Sequence, residues 1–347
     1  MRINLPAEWE QQNAIMLTWP NNQSYWQNTM HEIENVFQQV AIEVSKRQKL
    51  IISCFDVEHK AHILTLLQKS AANLSNVSLN IVKANDIWVR DHGPITVLKD
   101  NKPLLLDFTF TGWGYKYPAK LDNELTKNLH TQQVFNNTPI KTIDFAIEGG
   151  GIETDGKGTL LVTKSCILCE KRNPQLSQDK VEEILKTNFG VNRILWLENG
   201  ELEGDDTDGH IDTLVRFADP HTLLYVTCDN EADANFTSLN KMAKELQNFK
   251  DYQGKPYNLI PLPSPKIKYA DFDGKRLPLT YANFLIINNA VLVPTYNDAN
   301  DANDALALKI ISETFKDREI IAIPSMPVVQ WYGSIHCMTM QLPRGVL

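Results

Sequence analysis

The sequence predicts an α/β fold assembled from repeated strand-rich units. Amphipathic helical patterns near residues 119–131, 177–188, 231–248 and 300–316 recur roughly every 55–65 residues. Two or three short β-branched or alternating runs separate each from the next. A third observation is an exclusion. No Gly-x-Gly-x-x-Gly closes a strand and no Gly-x-x-x-x-Gly-Lys-Ser/Thr occurs, so the usual signal of a nucleotide-binding α/β fold is missing. Repetition of a β-rich unit about an axis would bring loops from distant parts of the chain to one shared centre.

Taken in order, the first helical patterns lie near 29–48 and 57–72, and Asp56 supplies an N-cap oxygen for the second. Ser177 does the same for 177–188, with Asp179 or Glu182 biasing the following turn. Strand candidates are Leu50–Phe55, Val77–Val82, Ile95–Leu98, Leu104–Phe108, Thr159–Thr163, Arg193–Leu197, Ile211–Phe217, Thr222–Thr227, Phe284–Ile287, Val291–Pro294 and Ile320–Ile323. No Ser/Gly/Pro-rich linker, charge block or low-complexity segment divides them, so a single domain over 1–347 is expected.

The chain has 347 residues, of which 43% are hydrophobic and 22% charged, as in an ordinary globular protein. A formal charge of -8 leaves no basic stripe for nucleic acid and suits a cationic ligand. The N-terminal segment has no apolar signal core and no apolar run approaches a membrane span, so no membrane partner and a cytoplasmic location are expected. Five scattered cysteines argue against a disulfide scaffold.

Three polar clusters carry chemistry. In Tyr332-Gly333-Ser334-Ile335-His336-Cys337, one cysteine follows a Gly-Ser break. An arbitrary cysteine is most often a small buried hydrophobe, and a thiol needs a base or a lowered pKa to attack at neutral pH. His336 is adjacent, and neighbours on an extended segment face opposite ways, so its expected role is structural. His210 and Asp212 enter a strand-like run, where residues two apart share a face; the plain alternative is a solvated strand end. Counted as an EF-hand from Gly204, that loop fails at its first position and at Val215, its twelfth, and spacing supplies no third zinc ligand. In Trp88-Val89-Arg90-Asp91, an extended segment would put Val89 and Asp91 on one face. Trp88 alone would read as core, and Asp91 as a surface partner of Arg90 or Lys99. Glu148 precedes three glycines after the apolar run Ile143–Ile147, a carboxylate at a strand end beside backbone that a ligand can approach. Cys166-x-x-Cys169 lacks a second cysteine pair or a spaced histidine, so neither zinc nor a redox role is expected there. A thiol, a histidine and several carboxylates together suit covalent attack on a cationic carbon.

Together these clusters resemble the agmatine deiminase family of guanidino-group-modifying enzymes. The resemblance runs through Pro6-Ala7-Glu8-Trp9-Glu10-Gln11, Trp19-Pro20, Trp88 to Pro94, Glu148-Gly149-Gly150, Arg172-Asn173-Pro174, Asp206 to Asp212, Asn283 and Ile335-His336-Cys337. It implies the pentein fold, a five-bladed α/β-propeller whose pseudo-fivefold ββαβ repeats surround a central active site. It implies Cys337 as nucleophile, His210 as general acid/base, Asp91 and Asp212 as the grip on the guanidinium, and Glu148 as a further acid. Trp88 would line the substrate channel, Asn283 would bind substrate, and Asp206 is a candidate for its distal amine. The chain departs from the well-known members at Trp331 to Ser334, where they carry Gly-Gly-Gly-Asn. It departs again at His92, Asp208 and Met340, where they carry threonine, asparagine and glutamine. These changes alter pocket walls and leave the reacting groups in place.

The resemblance implies hydrolysis of agmatine to N-carbamoylputrescine and ammonia through a covalent cysteine thiouronium, with no metal or organic cofactor. The implied partner is a small cationic guanidine, and a homo-oligomer is compatible with it. Competing readings are a deiminase of peptidylarginine or another guanidine, an amidinotransferase passing the thiouronium to an amine, and a noncatalytic guanidine-binding protein.

Overall fold

The computed structural model describes residues 2–21, 29–296 and 302–347. One construction recurs in its sheets. Val215–Asp219 and Thr222–Val226 are short apolar runs joined by a tight turn, and they pair antiparallel. The chain then crosses through the helix Phe236–Asn248, long enough for a parallel return, and Asn258–Leu262 pairs parallel with Thr222–Val226. Glu153–Thr154, Thr159–Thr163 and Arg193–Leu197 repeat this pattern around the helix Gln178–Phe189. Leu285–Ile287, Ala290–Thr295 and Glu319–Pro324 repeat it around Ala302–Thr314. Ile95–Lys99, Lys102–Thr109 and Ile140–Ala146 do so around Lys120–Thr131, with Ile3–Asn4 added on the outer edge.

The fifth sheet draws on both ends of the sequence. Thr339–Pro343 pairs antiparallel with Gln12–Thr18, which continues through the helix Met30–Ser45 to the parallel strand Lys49–Cys54. A further helix, Val57–Gln68, leads to Val77–Ile81. The helices pack by one face: Ile33, Val36, Phe37, Val40 and Val44, at spacings of three and four, are all buried. Each such side chain withdrawn from water contributes about 1.5–3 kcal/mol.

The helix ends follow local chemistry. Asp56 accepts a bond from the His59 amide at 2.8 Å and Ser177 one from Lys180 at 3.4 Å, the caps expected of them. Gly190, at φ +68°, closes its helix in the left-handed region. The expected strand Ile211–Phe217 is corrected: Ile211–Thr213 is a 3-10 turn and pairing begins at Val215. The expected helix near 300–316 runs over Ala302–Thr314; its first two positions lie outside the described residues. Among the described residues no helix is long and apolar enough to cross a membrane.

The segments that lead into the five sheets carry the clusters singled out above. Residues 88–94 precede the strand beginning at Ile95, and 148–152 precede Glu153. Residues 204–214 precede Val215, 280–284 precede Leu285, and 331–338 precede Thr339.

Candidate active site

Asp91 stands in a single helical turn, Val89–His92, closed by the Gly93 amide on the Val89 carbonyl at 2.8 Å. The extended reading of this stretch is therefore corrected; the pocket side of Asp91 comes from a turn, not from strand alternation. Gly93-Pro94 ends the turn, because the residue before proline avoids helical backbone. Asp91 pairs with neither Arg90 nor Lys99. It accepts from Trp113 Nε1 at 2.9 Å and from the Gly150 amide at 3.0 Å. Arg90 instead reaches the other cluster: its amide donates to the Cys337 carbonyl at 3.1 Å and its Nε to the His336 carbonyl at 3.3 Å.

His210 and Asp212 also do not share a strand face. The 3-10 turn that starts at His210 brings both side chains inward. Asp205 builds the approach by accepting from Thr207 and Gly209, and the Thr207 hydroxyl accepts from the His210 amide at 3.1 Å. Both residues are fully buried.

Gly150 marks where these groups converge. A Cβ there would lie 2.6 Å from His210 Nδ1, 2.8 Å from Asp91 Oδ1 and 3.1 Å from Asp212 Oδ2. The glycine run after Glu148 is required by this close approach.

Cys337 Sγ lies 3.9 Å from Asp212 Oδ2 and 3.2 Å from Asn283 Nδ2. Asn283 also holds the backbone, its Oδ1 accepting from the His336 and Cys337 amides at 3.0 and 3.3 Å. Asn283 thus touches the cysteine directly. His336 lies between two carboxylates, its Nδ1 2.7 Å from Asp212 Oδ2 and its Nε2 2.7 Å from Glu8 Oε2.

Cys337, Asp91 and Trp88 open on one cavity of about 530 Å³. Trp113, Tyr117, Trp331 and Tyr332 add aromatic wall, and Asp86, Asp206 and Asp273 add carboxylates. Among the residues lining it Lys275 is the sole cation, and it already lies 3.2 Å from Asp273. Trp88 is fixed by Gly333, where a Cβ would fall 2.4 Å from the indole ring. Asp206 lies at the mouth, bonded to the Tyr117 hydroxyl at 2.6 Å and 3.4 Å from Lys116.

Glu148 lies behind His210, its Oε2 3.7 Å from Nε2, and receives Arg172 Nε at 2.8 and 2.9 Å. Arg172 also pairs with Asp208 at 2.8 Å, tying the 204–210 loop to Glu148. Cys166, set aside in sequence, proves to be packed here, 3.9 Å from Glu148.

The electrostatics divide. Burial alone would favour neutral groups. For Asp91 it wins: burial, with Asp212 and Glu148 nearby, pushes the carboxyl to about 6 against the charge of His210. For Asp212 it loses, since the bond and charge of His336 hold the carboxyl below its ordinary value. His210 is raised well above its usual range against burial, chiefly by the charge of Asp91 and the proximity of Cys166 and Glu148. Burial, Asp212 and Asp91 together push the Cys337 thiol well up.

Among the described residues two clusters have metal-like composition: Glu148, Cys166 and His210, and Glu8, Glu153 and His336. In each an arginine already occupies the carboxylates, Arg172 on Glu148 and Arg216 on Glu8 and Glu153, and its charge opposes a cation. Sequence spacing misses Trp113, whose indole bonds Asp91, and gives no role to Glu8 or Arg172. The last two lie inside quoted motifs, which was the available signal.

The model of Porphyromonas-type peptidyl-arginine deiminases matches residues 4–343. An agmatine deiminase of Stutzerimonas stutzeri is 30% identical over 98% of this chain and 95% of its own. A solved C. jejuni agmatine deiminase with a cysteine-to-serine substitution and substrate bound is 34% identical, with a TM-score of 0.90 over 99% of this chain and 97% of its own. A putative arginine deiminase structure from Porphyromonas gingivalis is 40% identical, with a TM-score of 0.92 over 99% of both chains. With nearly all of its length matched in sequence and in backbone, the chain belongs to the Porphyromonas-type peptidyl-arginine deiminase family and stands with the agmatine deiminases.

Proposed function

We propose that the chain is a guanidine hydrolase that converts agmatine and water to N-carbamoylputrescine and ammonia. One observation carries this reading: Asp91, His210 and Asp212 converge within about 3 Å of one point at Gly150, and Cys337, 3.9 Å from Asp212, opens with Asp91 on one cavity.

In this reading Asp91 and Asp212 bind the flat guanidinium through charge-assisted hydrogen bonds and leave its central carbon facing Cys337. The free site holds a thiol, since burial and two carboxylates oppose the thiolate. The arriving cation offsets those charges and lets the thiol release its proton to the water of the open cavity, where the ammonia set free later takes it up. Sulfur then attacks the carbon, and His210, protonated in the free site, gives a proton to the leaving nitrogen so that ammonia departs. A thiouronium remains on Cys337. His210, now neutral, takes a proton from water, whose oxygen adds to the carbon. Collapse expels the cysteine sulfur and leaves the ureido product. Glu148 orients His210 through their 3.7 Å approach.

Agmatine fits the wall better than free arginine does. The lining carboxylates Asp86, Asp206 and Asp273 outnumber the cations beside them, Lys116 near Asp206 and Lys275 near Asp273, so the wall suits a second cationic end better than a carboxylate. Trp88 lines the channel and Asp206 meets the distal amine. We further infer a single domain of five blades around this centre. The support is the common order of the five sheets and the placement of one site segment before each.

The test is ammonia and ureido-product formation from agmatine, free arginine, an arginine peptide, and agmatine with a competing amine. Agmatine should turn over with the highest kcat/KM, and Cys337→Ser should abolish it. Faster turnover of another guanidine would replace the substrate, and an amidino product would replace hydrolysis by transfer.

A further inference from the structure

We infer that Glu8 is a positioning residue for the substrate-binding carboxylate Asp212, acting through His336. This rests on the reading of Asp212 as half of the guanidinium grip.

His336 has a carboxylate oxygen 2.7 Å from each ring nitrogen, Asp212 Oδ2 on one side and Glu8 Oε2 on the other. A carboxylate can only accept, so the ring donates twice and carries a positive charge. Without the second carboxylate, one proton would suffice for Asp212. Glu8 is thus what makes His336 a cation.

Glu8 is itself held rigidly. Oε1 accepts from the Ile286 amide at 2.8 Å, and Oε2 lies 3.0 Å from Arg216 Nη2 and 3.9 Å from Arg90 Nη2. Arg216 also bonds Glu153 and donates to the Ala282 carbonyl at 3.0 Å. Three acids (Glu8, Glu153 and Asp212) face three cations (Arg90, Arg216 and His336), and such a buried set is stable only when every member is paired.

The consequence falls on Asp212. One oxygen is committed to His336, while Oδ1 is buried with no protein partner. The carboxylate plane is therefore fixed with one acceptor left for a guanidinium N–H. The other charged or titratable groups facing Asp212 are His210, Arg216, Arg90, Asp91 and Cys337. Of the cations among all these groups, His336 alone is bonded to it.

Glu8→Gln keeps the shape and an acceptor for Ile286, but turns a donor toward both His336 Nε2 and Arg216 Nη2. The ring should then carry one proton. Nitrogen-15 NMR of the imidazoles near neutral pH, with the signal assigned by His336→Gln, should show a doubly protonated ring in the wild type and a neutral one in Glu8→Gln. For agmatine, KM should rise roughly tenfold with kcat changed far less, because binding before and during reaction weakens alike. The acid limb of kcat/KM should steepen from one proton toward two, as Asp212 loses its cation.

Arg318→Gln is the structural comparison. It loosens the same segment, through Trp9 and Ile287 carbonyls, without touching the Glu8 carboxylate. It should lower Tm and leave KM, limb slope and the imidazole signal unchanged. A doubly protonated His336 persisting in Glu8→Gln, or Arg318→Gln reproducing its kinetic effects, overturns the inference. Should the wild type turn over no guanidine, the functional reading fails while the NMR arm still decides whether Glu8 charges His336.

Discussion

Asp91 and Asp212 approach the same point at Gly150, yet their hydrogen-bond partners differ in kind. Asp212 rests against a cationic ring backed by paired arginines and acids. Asp91 has two neutral donors, an indole and a backbone amide, and its nearest cation is His210 at 3.7 Å. One carboxylate is held ionised below its ordinary range by its bond to His336, and the other is kept near the point of taking up a proton. The difference teaches that a symmetric-looking grip can contain a fixed half and a half that answers to pH.

Four experiments bear on that asymmetry. The largest effect should come from Gly150→Ala, which pushes on both halves at once. Displacing reacting groups by about 1 Å costs on the order of 10²-fold, and here three groups move, so kcat/KM should fall by about 10³. Retained activity would mean that the convergence does not matter.

Next, Asp91→Asn and Asp212→Asn should each lower kcat/KM by on the order of 10² or more. Their pH profiles should differ. Asp91 must be ionised to grip a cation, so wild-type kcat/KM should drop as pH falls through about 6. Asp212→Asn should retain that limb and Asp91→Asn should lose it. Equal profiles would erase the distinction.

Trp113→Phe removes one donor from Asp91 and should raise the acid limb, with a several-fold loss at neutral pH, while Asp212 is untouched. A limb that stays in place would assign it to another group.

The smallest effects should be on stability, and opposite in sign. The folded-state value of Asp91 lies above the ordinary 3.8, so its ionisation opposes folding above about pH 6 and ceases to do so in acid. Asp91→Asn should leave Tm equal or higher near neutral pH. Asp212 is lowered, so its contribution is present at neutral pH and lost in acid; Asp212→Asn also strands the charge of His336 and should lower Tm.

Much of this was legible from local chemistry. The caps at Asp56 and Ser177, the helices they start and most parallel strands follow from side-chain oxygens and apolar period. The strands Gln12–Thr18 and Thr339–Pro343 escaped: each is a short run, and their mutual pairing spans more than 300 residues. The site residues were legible as clusters, but two geometries were not. A period of two suits Ile211–Phe217, yet Gly209 at φ +89° and the Asp205 bonds turn the backbone into a 3-10 start. Trp113 sits in a run of positive φ from Gly112 to Tyr115, where no regular period applies. The Glu8–His336 contact joins positions 328 apart, and no spacing rule reaches that far.

The sheet shared by Gln12–Thr18 and Thr339–Pro343 has a consequence for biosynthesis. The sulfur at Cys337 and the strand that closes this sheet are synthesised after the last strand of the four other sheets, which ends at Pro324. A nascent chain stalled before position 337 would carry Asp91, His210 and Asp212 yet lack the nucleophile. Its early strand Gln12–Thr18 would meanwhile expose an unpaired edge, a surface for chaperones to guard until translation ends.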